Sequence, residues 1–430
     1  MATLTLREEA TDLLQRLIRL DTVNPPGNET LAAELLRGYL ADSGVAVELY
    51  AKVPERANLL ARIPGRGEGP RLLLLSHTDT VLADAAEWQL DPWSGELRDG
   101  EIWGRGALDM KGQVAANAVA IASLAREGFE PSGDLIFAAT ADEEVGDDFG
   151  LSWLCREHPD AVHAEYCVNE GAGDRIDFGG GRIFYLCSAA EKMSSPFRLV
   201  VHGRSGHASM PGIADNALVK AATLIVRLAE LRPEPRLEPE VAAFLRLLTG
   251  REVGADEALD VARGVHPLAA ELIEPLLSLT VSPTIVSASQ KRNVIPALCD
   301  LICDCRLLPG HDPEVLTSGF AKNAEAACAK LGAKFSLQVD RASPAMELNE
   351  PSALLDSARA ACRDVGLPDK LDAKPTNTEA GIFARAGVES IVFGPGRSTG
   401  NAHCANEHNL HSQLLKAVEF YRALISRLCA

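Results

Sequence analysis

The sequence predicts an α/β domain built on a largely parallel central sheet, with a smaller α+β domain inserted into it. Three observations predict this. Residues 71–77, 134–140, 164–169 and 390–394 are short, nearly continuous apolar runs, the pattern of strands buried on both faces. Helical segments such as 111–126 lie between them, and strand–helix alternation builds parallel sheets. The middle of the chain then changes to the order β-α-β-β-α-β, which fits a split-βαβ unit.

Taken in order, residues 7–20 place Leu13, Leu14, Leu17 and Ile18 on one helical face. The stretch Asp21-Thr-Val-Asn-Pro-Pro-Gly27 breaks that helix, and a second amphipathic helix covers 30–43. In the middle region, 197–203 reads as a strand with alternating faces and 216–231 as a helix. Residues 284–289 and 298–307 read as a strand pair, 312–331 as a helix and 335–339 as a last strand. Residues 232–282, rich in Leu, Glu and Pro, add helices to this unit. The expected division is therefore 1–189 with 342–430 for the first domain and 190–341 for the inserted one.

Bulk properties narrow the function classes. A chain of 430 residues exceeds one simple core, and 47% hydrophobic with 24% charged residues is ordinary globular composition. The formal charge of -18 disfavours a nucleic-acid partner. Charged residues at the start, Arg7, Glu8, Glu9 and Asp12, exclude a signal-peptide core there, and no apolar run is long enough to span a bilayer. The expected compartment is the cytoplasm. The ten cysteines form no Cys-x-x-Cys pair, and Cys303 and Cys305 read as buried free thiols on one strand face.

Candidate chemistry sits just after the buried runs, where the carboxyl ends of parallel strands present ligands. Ser76-His77-Thr78-Asp79-Thr80 offers an imidazole and, two residues on, a carboxylate able to orient it. Alone, this pattern is weak and better fits a surface histidine beside a turn aspartate. In Gly104-Arg105-Gly106-Ala107-Leu108-Asp109-Met110-Lys111-Gly112, Asp109 precedes a helix and is either a cap or a ligand. Ala141-Asp142-Glu143-Glu144 crowds carboxylates that repel one another, a cost that a cation offsets; the other reading is a solvated acidic turn. Glu170 in Asn169-Glu170-Gly171 and His403 in Gly400-Asn401-Ala402-His403-Cys404-Ala405-Asn406-Glu407 complete the set, each also compatible with an ordinary loop residue.

Taken together these segments resemble the two-zinc peptidases and deacylases that include aminoacylases, glutamate carboxypeptidases, acetylornithine deacetylases and succinyl-diaminopimelate desuccinylases. The likeness extends in order through Asp91-Pro92-Trp93-Ser94-Gly95, Gly206-His207-Ala208-Ser209-Met210-Pro211, Asn293-Val294-Ile295-Pro296 and Asp304-Cys305-Arg306-Leu307-Leu308-Pro309-Gly310, and so spans almost the whole chain. It implies a zinc-peptidase-type catalytic domain carrying an inserted ferredoxin-like lid and dimerisation domain. It implies two Zn2+ ions, with Co2+ or Mn2+ as alternatives: one held by His77, Asp109 and Glu170, the other by Asp109, Glu144 and His403. Asp79 would orient His77, and Glu143 would act as general base and then acid. His207 would steady the oxyanion, and Asn293 and Arg306 would bind a substrate carboxylate.

The implied activity is hydrolysis of the amide of an N-acyl amino acid or short peptide, in a homodimer joined through the inserted domain. A biosynthetic deacylase for acetylornithine or succinyl-diaminopimelate is the runner-up. A metal-dependent binding protein without turnover is the reading from another class, against which the intact Glu143 counts. Two departures stand out. Thr376-Asn377-Thr378-Glu379-Ala380-Gly381 has Glu where the family often has Asp, and Glu191-Lys192-Met193-Ser194-Ser195 lacks a glycine often found after the lysine.

Overall fold

In a computed structural model, residues 4–146, 148–171, 175–180, 182–289, 291–312, 334–339, 351–367, 370–374, 387–394 and 400–430 are described, with 319, 322, 348, 382–383 and 396–398 between them. The chain separates into two compact units. One holds residues 1–189, 348–372 and 378–430; the other holds 190–347 and 373–377.

The first unit is a sheet covered on both faces. Its four central strands, Leu135–Thr140, Leu72–His77, Tyr166–Asn169 and Glu389–Val392, run parallel and neighbour one another in that order. These are the four apolar runs of the sequence. The strand Leu72–His77 shows why no polar alternation was visible. Leu72 and Leu74 enter the core beneath the helices Leu6–Ile18, Lys111–Arg126, Ala353–Asp364 and His411–Leu428, while Leu73 and Leu75 enter a second core with Leu151, Trp153 and Leu154. The helix Lys111–Arg126 is buried on every side through Leu124, and its alanines let it lie close under the sheet. Sequence reading missed the hairpin Ala46–Ala51 and Ala57–Ile63, which adds antiparallel strands at one edge. Its first strand is only partly buried and carries Glu48, so it lacks the apolar run that marks the centre.

The second unit has its strands in the order Thr280–Ser287, Leu298–Leu307, Phe197–His202, Lys334–Val339, each antiparallel to its neighbour. The helix Ala217–Ala229 supplies Ala217, Ala221 and Leu224 to a core with Val201 and Cys299. The first strand of that order starts at Thr280, four residues before the expected start. Pro283 lies within the strand, at a register shift between Pro283 and Ile285. Residues 232–282 contribute the helices Pro239–Thr249, Ala258–Val265 and Pro267–Ile273. Lys192 anchors their far end: its ammonium donates to the carbonyls of Pro275 and Ser278, each at 2.9 Å, and to Thr280 Oγ1 at 3.2 Å. Burial pulls its pKa down to about 8. The expected helix over 312–331 and the segment 376–381 lie outside the described residues, apart from isolated positions. Among the described residues no helix is long and apolar enough to cross a membrane.

Candidate metal centre

The parallel strands place their carboxyl ends along one edge, and the sequence segments picked out above follow directly from those ends. His77 is the last residue of its strand, Glu143 and Glu144 follow Thr140, and Glu170 follows Asn169. Glycine is required beside Glu170: a Cβ on Gly171 would lie 1.9 Å from the backbone of Phe393 and Gly394.

Seven of the predicted side chains converge in this unit. His77 Nε2 lies 3.4 Å from Asp109 Oδ1 and 3.9 Å from both Glu143 Oε2 and Glu170 Oε1. His403 Nε2 lies 3.3 Å from Asp109 Oδ2 and 3.2 Å from Glu144 Oε2. The two oxygens of Asp109 therefore face two different imidazoles. Ligands at zinc bond lengths of ~2.0–2.1 Å in a tetrahedron are themselves about 3.3–3.4 Å apart. The imidazole–carboxylate contacts of Asp109 and Glu144 have that spacing.

The residues fit a pair of cations on two further grounds. His77 Nε2, Asp109 Oδ1 and Glu144 Oε1 are buried with no hydrogen-bond partner among the described residues, a costly state unless something else satisfies them. Asp79, Asp109, Glu143, Glu144 and Glu170 also set five carboxylates against two imidazoles. Without metal, protons partly answer that charge. Hydrogen bonding by Asp109 and then Glu144 pushes the pKa of His403 up to about 10, against the effect of burial. Burial acts to lower the pKa of His77, but Asp109, Asp79 and Glu170 outweigh it and hold the ring well above its ordinary value. Burial would raise the Asp109 carboxyl, yet the two histidines hold it below the ordinary aspartate value. Cations bound through both rings would displace these protons.

Asp109 is not a helix cap: Met110 takes that position, with no side-chain capping bond. Asp79 does more than the sequence suggested. His77 Nδ1 has the backbone carbonyl of Asp79 at 3.1 Å and its carboxylate at 3.4 Å. The same carboxylate accepts the backbone N–H of Glu143 at 3.2 Å, that of Glu144 at 3.1 Å and Asn24 Nδ2 at 2.8 Å. It thus holds the turn that presents both glutamates.

Behind that turn is a buried network that sequence reading missed. Arg56 pairs with Glu29 through Nε at 2.6 Å and Nη2 at 2.7 Å, and Nη2 also reaches Asp142 Oδ1 at 2.9 Å. Asn24 Nδ2 bridges from Asp79 to Asp142 Oδ1 at 2.9 Å. Asp142 Oδ2 accepts the N–H groups of Asp148 and Phe149 at 2.8 and 3.3 Å. Asp142 has φ 66°, the left-handed region, which turns its side chain toward Arg56. Replacing Arg56 with Met leaves Glu29 and Asp142 buried without their cation. The expected loss is about 3–5 kcal/mol of stability, read as a lower urea midpoint, together with reduced turnover as the Glu143–Glu144 turn loosens.

The remaining predicted residues lie in the second unit. His207 pairs with Val294 in a two-stranded ribbon, and the carbonyl of Asn293 accepts the N–H of Ala208 at 3.0 Å, so His207 and Asn293 are neighbours. His207 Nδ1 lies 2.7 Å from Ser209 Oγ and 3.2 Å from the Ser209 backbone nitrogen, so Ser209 holds the ring by this edge. Arg306 commits Nε and Nη2 to Asp304, each at 3.0 Å. A substrate carboxylate would therefore share this guanidinium with an internal acid.

Residues 73–427 match the family described as Peptidase family M20/M25/M40. The chain belongs to that family. It is accordingly a metal-dependent hydrolase of the peptidase and amidohydrolase kind. It is 29% identical over 414 residues to the succinyl-diaminopimelate desuccinylase of Methylocella silvestris, covering 92% of each chain. The fold is that of the M20 family metallo-carboxypeptidase Sso-CP2 from Sulfolobus solfataricus, with a TM-score of 0.76, 18% identity, and coverage of 98% of this chain and 99% of that one. Human carnosine dipeptidase 1 shares it at a TM-score of 0.76 and 17% identity, over 98% and 96% of the two chains.

Proposed function

We propose that this chain is a two-metal amidohydrolase that cleaves the amide bond of an N-acyl amino acid or short peptide carrying a free carboxylate. The observation that carries this reading is the Asp109 carboxylate, with one oxygen toward His77 and the other toward His403, among three further glutamates. His77, Asp109 and Glu170 would hold one ion, and Asp109, Glu144 and His403 the other. The mixed imidazole and carboxylate set suits Zn2+, with Co2+ or Mn2+ as alternatives. When bound, the ions supply Lewis acidity that polarises the amide carbonyl and makes an attacking water more acidic.

Glu143 takes the proton from the attacking water and returns it to the leaving nitrogen, so one water and one amide become a carboxylate and an amine. Its side chain is 18% exposed against 5% for Glu144, which supports a reactive role for the first and a ligand role for the second. Asp79 fixes the backbone of both. His207 would steady the oxyanion, and Asn293 and Arg306 would bind the substrate carboxylate. His207→Ala is expected to lower kcat about 10²–10³-fold with a smaller change in KM, measured by steady-state kinetics. An unchanged kcat would remove His207 from the reaction.

The inserted unit would serve as lid and dimerisation surface. Its helix Ala217–Ala229 exposes Leu218, Val219 and Val226, and its outer strand exposes Ile285 and Val286, which supports a homodimer through this face. Free thiols at Cys299, Cys303, Cys305, Cys404 and Cys429 support a reducing, cytoplasmic setting.

The likeness to a succinyl-diaminopimelate desuccinylase over 92% of both chains favours a second reading, a biosynthetic deacylase. Rates of the metal-loaded protein on N-acyl amino acids, dipeptides, acetylornithine and N-succinyl-diaminopimelate separate the two. A strong preference for either biosynthetic substrate would replace the first reading with the second. Absence of turnover across the panel would sink both and leave a binding protein.

A further inference from the structure

Between the loop of Asp109 and the loop of His403 lies a buried carboxylate that the proposed chemistry does not use. Glu407 is fully buried. Its Oε1 accepts the backbone N–H of Leu108 at 2.9 Å and of Asp109 at 3.0 Å. Its Oε2 pairs with Arg105 Nη1 at 2.5 Å, and its backbone carbonyl accepts the N–H of Gly104 at 2.9 Å. Arg105 is buried in turn, with its guanidinium 5.3 Å from the ring of Trp88.

The rest of this loop is tied as firmly. Asn401 Nδ2 donates to the carbonyls of Arg397 at 2.9 Å and His408 at 2.8 Å, and its Oδ1 accepts the N–H of His408 at 3.0 Å. Asn406 Oδ1 accepts the N–H of Gln89 at 2.7 Å. His403 and Asn406 both have positive φ, 58° and 64°, so the loop is coiled tightly between its anchors.

The two histidines of the centre are held differently. His77 is packed at a strand end, 1% exposed, with Nδ1 against Asp79. The side chain of His403 is 53% exposed, so packing alone does not fix it, and its place depends on the loop that carries it. That loop ends under the amide of Asp109, at Glu407. A buried ion pair is a poor way to fill space, since apolar side chains of similar volume do so at least as well. This pair sits where two ligand-bearing loops meet.

We propose that Glu407, with Arg105, is a positioning residue that sets the spacing between Asp109 and His403 and so the affinity of the metal position they share with Glu144. The inference rests on the two-metal reading above. Its test uses the full-length protein stripped with chelator, titrated with Zn2+ against a chromophoric competitor and with Co2+ by visible absorption. Wild type takes up two equivalents. Glu407→Gln, nearly the same shape, keeps the tighter equivalent within a few-fold and weakens the other by about 10–100-fold, the usual effect of removing a ligand's supporting partner. Arg105→Lys keeps the charge but loses the planar fork, and weakens the same equivalent by less. Unfolding midpoints of the stripped proteins establish that both variants are folded. Two equivalents bound as in wild type by both folded variants, or both equivalents weakened alike, would overturn the proposal. Fewer than two equivalents in wild type would instead overturn the two-metal reading beneath it.

Discussion

Replacing Glu143 with alanine is expected to leave both metals bound and to lower kcat by about 10⁴-fold. Proton transfer by a positioned side chain contributes roughly 10²–10⁴, and the upper end is expected because, in the proposed chemistry, one carboxylate would serve both the attack and the departure of the amine. Metal is expected to be retained because neither proposed ligand set includes this side chain. The backbone of Glu143 is fixed by Asp79 at 3.2 Å, and Glu144, not Glu143, approaches His403. Glu143→Gln is expected to match the alanine variant closely, since an amide keeps the shape but cannot accept the water's proton. Elemental analysis beside steady-state kinetics checks this. Loss of zinc from the alanine variant would make Glu143 a ligand and reverse its role with Glu144.

Removal of Asp109 has the opposite signature. Asp109→Ala takes away both oxygens that face the imidazoles, at 3.4 and 3.3 Å, so neither proposed ion would keep its shared ligand. Both metals are expected to be lost. Lewis-acid stabilisation is worth several kcal/mol, and at ~1.4 kcal/mol per tenfold the rate is expected to fall by about 10²–10⁴-fold. The fold should survive, because Asp109 makes no capping bond to the helix that follows. Asp109→Asn, which keeps the shape but offers a cation only one oxygen, is expected to retain at most one metal. The two variants of Glu143 and Asp109 therefore separate proton transfer from metal binding. Both lose turnover, and only one loses metal.

Much of this centre was legible in the sequence because its residues follow strands that announce themselves. Leu72 to Leu75 enter cores on both faces of the sheet, and such a run can only be a central strand or a buried helix. His77 ends its own run, and Glu143, Glu144 and Glu170 sit one to four residues beyond the ends of theirs. What supports them was not legible, because it depends on partners distant in sequence. Glu407 bonds to the amide of Leu108, 299 residues away, and Asn24 reaches Asp142 across 118. A lone Arg56 or Asn24 in a polar stretch carries no periodicity, and only the fold shows that it is buried. Asp142 was read as one more carboxylate of an acidic turn. Its positive φ turns it away to Arg56 and to the amides of Asp148 and Phe149, a backbone choice that sequence does not display.

The most direct test is anomalous scattering at the zinc absorption edge from crystals of the zinc-loaded protein. Two peaks are expected, one on each side of the Asp109 carboxylate, the first against His77 and Glu170 and the second against Glu144 and His403. A single peak, or a pair of peaks that Asp109 does not join, would contradict the shared-aspartate centre on which the proposed chemistry is built.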